Sequence, residues 1–501
     1  MKYMFANNHE IRTRYAPSPT GYQHIGGIRT AIFNYLLACK YEGQFIIRIE
    51  DTDKKRFVEG TEQYIIDTLK WLEIPYSEGP DIGGKYAPYR QSERTLIYQE
   101  YAKKLIDSGN AYYAFDSMDN LEYSRNKAEL IGGALSYNYL HRHKFSNSFS
   151  LSTDEVIRKI SNGEPYVIRL KIPENTLIEF NDLIRGEIQV HTSELEDRIL
   201  IKSDGIPTYH LAHIVDDITM KISHVIRGEE WLPSAPAHHY LYEVLGMQNN
   251  KPCYAHLPLV LNPDGDGKLS KRKLKDANIP IFPKNWINNE GILVKGMYEE
   301  GFLPDAVINI LVLLGWHPRN NQEIFSRQDL IEIFDVTDIQ KSGAKFDYAK
   351  AKWINAEHIK KAEIHYLYEQ YICLYDSEYK NKERLLATID YVKNRISVLK
   401  EIEDFKFLYL ENYYIDLSQR TFEKERLQRV ILILKDVRNW DKDTLKLTIK
   451  SLKEAYENNM KLMYYEVRLL LSGYEEGIDV LECFMILGQE LVLARLEKGL
   501  A

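Results

Sequence analysis

Cysteine is scarce in this chain. Its 501 residues include four, Cys39, Cys253, Cys373 and Cys483, far apart and without CxxC spacing. That pattern gives no basis for a disulfide framework, and four reduced thiols are expected. Long apolar runs are also missing. The longest, Ala306 to Trp316, is too short to span a bilayer. Met1 to Glu10 lacks the basic-then-apolar pattern of a secretory signal, so a cytoplasmic protein is the expectation. Positive charge is not in excess. The net charge of −8 argues mildly against a nucleic-acid partner, because phosphate contacts need Lys and Arg. Basic residues do cluster locally, at Lys268, Lys271, Arg272, Lys273 and Lys275, and at His141, Arg142, His143 and Lys144. Such runs are more often solvated faces than binding sites. Hydrophobic residues make up 44% and charged residues 28%, the balance of an ordinary globular protein. At about 150 residues per domain, the length suggests three or four domains.

The first segment reads β-α-β. Ile11 to Ala16 is a short strand, and Pro17-Ser18-Pro19-Thr20-Gly21 forces a loop. Ile28, Ala31, Ile32, Tyr35 and Leu36 then follow helical spacing, predicting a helix with one buried face. Phe45 to Ile49 reads as the next strand, giving a parallel pair with a right-handed crossover. Ligands bind such sheets at the carboxyl ends of the strands. Those ends are the Pro17–Gly27 loop and the Glu50-Asp51-Thr52-Asp53 loop. Residues from about 81 to 206 are mixed and read as an insertion. Strand signals return at 199–201, 223–226 and 257–261, and Ser234 is a candidate N-cap for a helix from Ala235 to Leu245. Beyond Pro304 the pattern is helical, with Leu385, Leu386, Ile389, Val392 and Ile396, and again Leu427, Val430, Ile431 and Leu434, at helical spacing.

Two motifs carry chemistry. The first is Arg14-Tyr-Ala-Pro-Ser18-Pro-Thr20-Gly21, followed by His24-Ile-Gly26-Gly27. A loop that ends at a helix N-terminus presents free backbone N–H groups and the positive end of a dipole, which suits phosphate. Glycines at 26 and 27 let a nucleotide approach the backbone. His24 can donate to a phosphate oxygen. The second motif is Lys268-Leu269-Ser270-Lys271-Arg272, after a turn at 262–267. Two lysines on a loop can close on a triphosphate and stabilise departing pyrophosphate. Alone, either motif is more often a plain turn or a basic surface loop.

Together they resemble the HIGH and KMSKS motifs of class I aminoacyl-tRNA synthetases. The RYAPSPTG…HIGG string is similar to the glutamyl enzymes in particular; glutaminyl enzymes carry PPEPNG before the histidine. Further matching strings are Arg48-Ile-Glu50-Asp-Thr-Asp53, Gly83-Gly-x-Tyr86…Gln91-Ser-Glu-Arg94, and Tyr209-His-Leu-Ala…Asp216-Asp217…Arg227-Gly-Glu-Glu230-Trp231. The resemblance covers about residues 11–345.

The resemblance implies an α/β N-terminal half followed by an all-α C-terminal half. The first half would be a Rossmann-like parallel sheet with an inserted α+β domain. Residues 1–84 and 209–261 would form the catalytic domain, 85–208 an inserted domain for the tRNA acceptor end, 262–345 a stem-contact domain with the KLSKR loop, and 346–501 an anticodon-binding region. Arg14 and Arg227 would bind carboxylates of glutamate, Glu50 its ammonium, and Ser18, Tyr209 and His213 would complete that site. Thr20, His24, Gly26, Gly27, Glu230, Trp231, Lys268, Ser270 and Lys271 would bind ATP, with His24, Gly26, Lys268 and Lys271 serving catalysis. The implied partners are glutamate, ATP with Mg²⁺, and tRNA(Glu), with tRNA(Gln) left open. A monomer away from membranes is expected.

Two departures stand out. Many relatives have Asn where His213 stands, and the chain is longer after Lys273, over Leu274 to Lys295. No zinc is expected, because Ala111-Tyr-Tyr-Ala114-Phe-Asp116 lacks the cysteines that some relatives use. Three decoys are set aside. Gly79–Tyr86 nearly fits a phosphate-binding loop but has Tyr for Ser/Thr. Asp264–Gly267 lacks the acidic residue of a calcium loop. His238-His239 lacks spaced partners. Three rivals are disfavoured: a paralogue that glutamylates a tRNA base by the length of 501 residues, a glutaminyl enzyme by the SPTG and HIGG strings, and an inactive RNA-binding homologue by intact His24 and Lys271.

Overall fold

The computed structural model describes residues 10–130, 135–262, 267, 269, 279–288, 290–375, 381–418 and 420–500. Two compact units are present. One comprises Met1–Gly296 and Val307–Tyr348, the other Met297–Ala306 and Ala349–Ala501.

In the first unit, strand β1 (Arg12–Tyr15) leads through the proline loop into α1 (Ile25–Lys40) and β2 (Gln44–Ile47). β1 and β2 pair in parallel, with Arg14 opposite Ile46. The expected stripe on α1 is buried, but Arg29, Phe33, Asn34, Leu37 and Ala38 are buried too. The single buried face is therefore corrected: α1 is covered nearly all round. Phe33 stacks on Phe334 at 5.3 Å, and Asn34 donates to the Ile226 carbonyl at 3.2 Å. Partners this distant in sequence leave no trace in local periodicity.

After α2 (Thr61–Trp71), Gly79 and Gly83 exchange backbone hydrogen bonds of 3.0 and 2.9 Å and close a tight turn, unlike a phosphate-binding loop. Then come α3 (Thr95–Asp107), β3 (Ala111–Ala114), α4 (Met118–Leu130), α5 (Thr153–Ser161), β4 (Val167–Leu170), the hairpin β5 (Leu177–Asp182) and β6 (Gly186–His191), and β7 (Ile199–Ile201). β3, β4 and β7 form an antiparallel sheet. Arg142, one of the basic cluster at 141–144, is not a solvated cation: it is buried, with Nε 3.0 Å from Asp197.

α6 (Tyr209–Thr219), β8 (His224–Gly228), α7 (Ala235–Val244) and β9 (Cys253–Leu257) complete the site scaffold. The second sheet has the order β6-β5-β9-β8, with β9 parallel to both β5 and β8. The β5–β6 hairpin thus joins this sheet although it lies within residues 85–208. β8 continues beside β1, because Ser223 N–H donates to the Arg12 carbonyl at 2.9 Å.

Two local expectations are corrected. Ser234 adopts a helical conformation and makes no side-chain cap, because a 3₁₀ turn over Glu229–Ser234 runs straight into α7. The strand expected at 257–261 breaks at Pro258, which has no N–H for the ladder. β9 ends at Leu257, and Val260–Leu261 pairs separately with Ala344–Lys345.

The second unit is helical in its described residues. Leu385, Ile389, Val392 and Ile396 share a core with Leu303, Ile359, Leu367 and Tyr371. Leu427, Val430, Ile431 and Leu434 share another with Leu445, Leu470, Phe484 and Leu496. Among the described residues, no helix is long and apolar enough to cross a membrane. All four cysteines are free.

Candidate active site

The carboxyl ends of β1, β2 and β8, the start of α1 and the start of α6 surround one cleft of about 1400 Å³. Arg14, Ser18, Glu50, Tyr209 and Arg227 line it. So do Thr20, His24, Gly26, Gly27, Glu230 and Trp231. Lys268, Ser270 and Lys271 lie outside the described residues; Leu269 between them is buried, its N–H donating to the Val260 carbonyl at 2.7 Å. The rim also carries Lys54, Lys55 and Arg56. The basic run after the Glu50–Asp53 loop was their signal in the sequence.

At the head of α1 the expectation of free backbone N–H groups is corrected. Gly26 N–H donates to His24 Nδ1 at 2.9 Å, Gly27 N–H to the His24 carbonyl at 3.0 Å, and Ile25 N–H to the Ile281 carbonyl at 2.9 Å. His24 is itself the N-cap. A ring whose Nδ1 accepts carries its proton on Nε2 when neutral, so the cap makes Nε2 a donor. A β-carbon on Gly26 would lie 2.7 Å from His24 Cε1, so only glycine leaves the ring in place.

Residues 279–287, within the longer stretch after Lys273, close over this helix end. Trp286 stacks on Tyr22 with ring centres 4.6 Å apart, and Lys284 N–H donates to the Tyr64 hydroxyl at 3.1 Å.

Behind the cleft lies a buried ion network. Asp217 accepts from Arg48 at 2.7 Å and from Arg14 at 3.2 Å. Asp216 accepts from Arg94 at 2.7 Å, Gln91 at 2.9 Å and Tyr98 at 3.0 Å. Glu50 accepts from Arg48 at 3.0 Å. Burial raises the Asp216 and Glu50 carboxyls above their ordinary range, against the neighbouring guanidiniums, Arg48 foremost. For Arg48, burial opposes the charge, but Asp217, Asp216 and Glu50 hold its guanidinium well above the ordinary range.

Arg227 is different. It is buried, yet among the described residues no carboxylate forms an ion pair with it. Its NH1 donates to the Tyr209 hydroxyl at 3.0 Å and its Nε to His256 Nε2 at 3.0 Å. His213 and His238 stand at 3.3 and 3.4 Å from NH1. His213 does not line the cleft. It sits behind, bridging Arg14 NH2 at 3.5 Å and Arg227 NH1 at 3.3 Å. Burial, then the surrounding arginines, push its pKa well below the ordinary histidine value, so it stays neutral. Tyr209 lies between His213, on which it stacks with ring centres 5.1 Å apart, and Trp231, whose ring is tilted against it at 4.1 Å.

Residues 10–353 match the family described as tRNA synthetases class I (E and Q), catalytic domain, and residues 357–500 match the anticodon binding domain. The chain is 41% identical to a glutamate–tRNA ligase of Christiangramia forsetii, over 98% of each chain. The chain belongs to the glutamate–tRNA ligase family. A glutamate–tRNA ligase of Flavobacterium psychrophilum is 42% identical, over 98% of this chain and 99% of its own. The crystal structure of a glutamate tRNA ligase from Elizabethkingia meningosepticum, in complex with its amino acid, matches with a TM-score of 0.88 and 39% identity, covering 98% of this chain and 99% of that one. A glutamate-tRNA synthetase from Elizabethkingia anophelis matches with a TM-score of 0.85. As a member of this ligase family the chain is an ATP-dependent aminoacyl-tRNA synthetase.

Proposed function

We propose that this cleft activates L-glutamate with ATP and transfers it to the 3′-terminal adenosine of tRNA(Glu). One observation carries the reading: Arg14, Arg227 and Glu50 converge beside the His24-capped end of α1. Four buried guanidiniums, Arg14, Arg48, Arg94 and Arg227, face three carboxylates, Glu50, Asp216 and Asp217. Glutamate brings two carboxylates and one ammonium to this set. Arg14 and Arg227 receive its carboxylates, a task suited to guanidinium forks. Glu50 receives its ammonium, and Ser18 and Tyr209 add hydroxyl contacts.

ATP lies along the start of α1, against Thr20, Gly26, Gly27, Glu230 and Trp231. The α-carboxylate oxygen of glutamate attacks the α-phosphorus. The bond to the bridging oxygen breaks, and pyrophosphate leaves. No side-chain nucleophile is needed; alignment and charge stabilisation supply the rate. His24 Nε2–H donates to the phosphates, and Lys268 and Lys271 close from the KLSKR loop. Among the described residues, no three His, Cys or acidic side chains converge to hold a metal. A magnesium ion bound with ATP would take its ligands from phosphate oxygens and water, where it neutralises phosphate charge. A ribose hydroxyl of the terminal adenosine then attacks the adenylate carbonyl carbon, and AMP leaves.

Residues of the 85–208 region that border the cleft, including Phe115, Tyr166 and Arg169, receive the acceptor end. The helical residues 346–501 read the anticodon loop, whose unstacked bases allow specific recognition. The chain works as a cytoplasmic monomer. Charging of purified tRNA(Glu) and tRNA(Gln) with labelled glutamate, ATP and Mg²⁺ tests the function. Labelled tRNA(Glu) supports it, and labelling of tRNA(Gln) as well makes the enzyme non-discriminating. No label on either, with the fold intact, overturns it in favour of an RNA-binding role.

A further inference from the structure

Arg227, a cleft-lining guanidinium with no ion-paired carboxylate among the described residues, is tied to a carboxylate at one remove. Three parallel neighbours, β5, β9 and β8, carry Asp182, His256 and Arg227. Asp182 pairs in register with Tyr254, and Arg227 with His256. Arg227 and His256 therefore stand side by side, and Asp182 reaches two residues along β9 to His256. His256 Nδ1 is 2.6 Å from Asp182 Oδ2, and Arg227 Nε donates to His256 Nε2 at 3.0 Å. Asp182 and His256 are buried, at 1% and 0% exposure. Neither lines the cleft.

The hydrogen-bond chain has one consistent proton arrangement. Arg227 Nε can only donate, so His256 Nε2 must accept. The neutral ring then carries its proton on Nδ1, which donates to Asp182. Asp182 is held as a carboxylate: burial works against it, but the His256 hydrogen bond and the backbone N–H groups of Ile184 and Arg185, at 3.0 and 2.9 Å, keep its pKa below the ordinary value. Burial keeps His256 neutral.

This arrangement answers a conflict. A buried guanidinium with no compensation is costly, but a carboxylate directly on it competes with a substrate carboxylate. We propose that Asp182 and His256 are positioning residues: they fix the guanidinium plane of Arg227 and compensate its charge through a neutral imidazole, which leaves the arginine available to a carboxylate of glutamate. The inference rests on the reading of Arg227 as a glutamate anchor.

Steady-state ATP–pyrophosphate exchange with tRNA present tests it, with glutamate and ATP varied separately. His256→Ala is expected to raise the glutamate KM by about tenfold or more, the loss of one hydrogen bond to a charged group, with the ATP KM changed less than about twofold. His256→Gln can still accept from Arg227 and donate to Asp182, so it is expected to recover most of the loss. Equal shifts in both KM values, or a His256→Gln variant as impaired as His256→Ala, overturn the relay. Arg227→Gln separates the two levels. If it leaves the glutamate KM unchanged, the anchor reading itself fails; if it raises that KM while both His256 variants do not, only the relay fails. Nitrogen-15 NMR of histidine-labelled wild-type protein gives a readout independent of variant folding. A protonated Nδ1 on His256 is expected, and a protonated Nε2 overturns the proposal.

Discussion

The Nδ1 of His24 accepts the backbone N–H of Gly26 at 2.9 Å, so the histidine that opens α1 is also its cap. The cap holds the imidazole plane, and in the proposed mechanism it directs the Nε2 proton to the phosphates. Gly26→Ala is expected to leave the fold intact, because alanine favours helix over glycine by about 1 kcal/mol. Its β-carbon, 2.7 Å from His24 Cε1, displaces the ring. The ATP–pyrophosphate exchange rate should fall about tenfold or more, the cost of one misdirected hydrogen bond to a charged group. Circular dichroism should show unchanged helix content.

Arg227→Lys keeps the charge but removes the fork. Lysine cannot reach Tyr209, His256 and a substrate carboxylate together. The glutamate KM should rise by about 30-fold or more, the lower end of what breaking a buried charge pair costs. The ATP KM should stay nearly constant, as checked by separate titrations.

Gly228→Ala tests Glu230. The glycine has an ordinary extended conformation, φ −64° and ψ 150°, so the substitution is not strained in itself. The added β-carbon would lie 2.0 Å from Glu230 Oε2, and this carboxylate must move. The ATP KM should rise several-fold with little change in melting temperature; an unchanged ATP KM argues against Glu230 at the nucleotide.

Trp286→Ala removes the ring stacked on Tyr22 and loosens residues 279–287 from the head of α1. The exchange rate should drop more than the glutamate affinity, because the end of the cleft proposed for the nucleotide is disturbed and the Arg14–Arg227 end is not. Parallel measurement of rate and of glutamate binding by calorimetry separates the two.

Buried histidines set an acid limit on stability. Burial lowers His210 and His224 to about 4 and His239 to about 3. Each is neutral when folded but takes a proton below about 6.5 when unfolded. Their stability contribution is therefore complete above about pH 6.5 and is lost as pH falls toward 4. Each contributes up to about 1.4 kcal/mol per pH unit in that window. Melting temperature should fall steadily from pH 7 to pH 5. His224→Phe should make the fall shallower by about one proton.

The sequence by itself determined the local pieces: the strand, proline loop and helix that carry His24, the helical stretches of the C-terminal half, and the order of the motifs. These depend on residue spacing, on proline's missing N–H and on glycine's missing side chain, all legible within a few residues. The pairings behind the site were decided by tertiary structure. Arg14 meets Asp217 across 203 residues, Arg48 meets it across 169, and Asp182 meets His256 across 74. No spacing rule links such positions; strand order and register do, and they also bury both faces of α1 and place His213 behind Tyr209. The Asp182–His256 relay had no signal at all in the sequence, because neither residue stands in a motif. It exists only because β9 pairs with both β5 and β8, which brings an aspartate, a histidine and an arginine within hydrogen-bond reach.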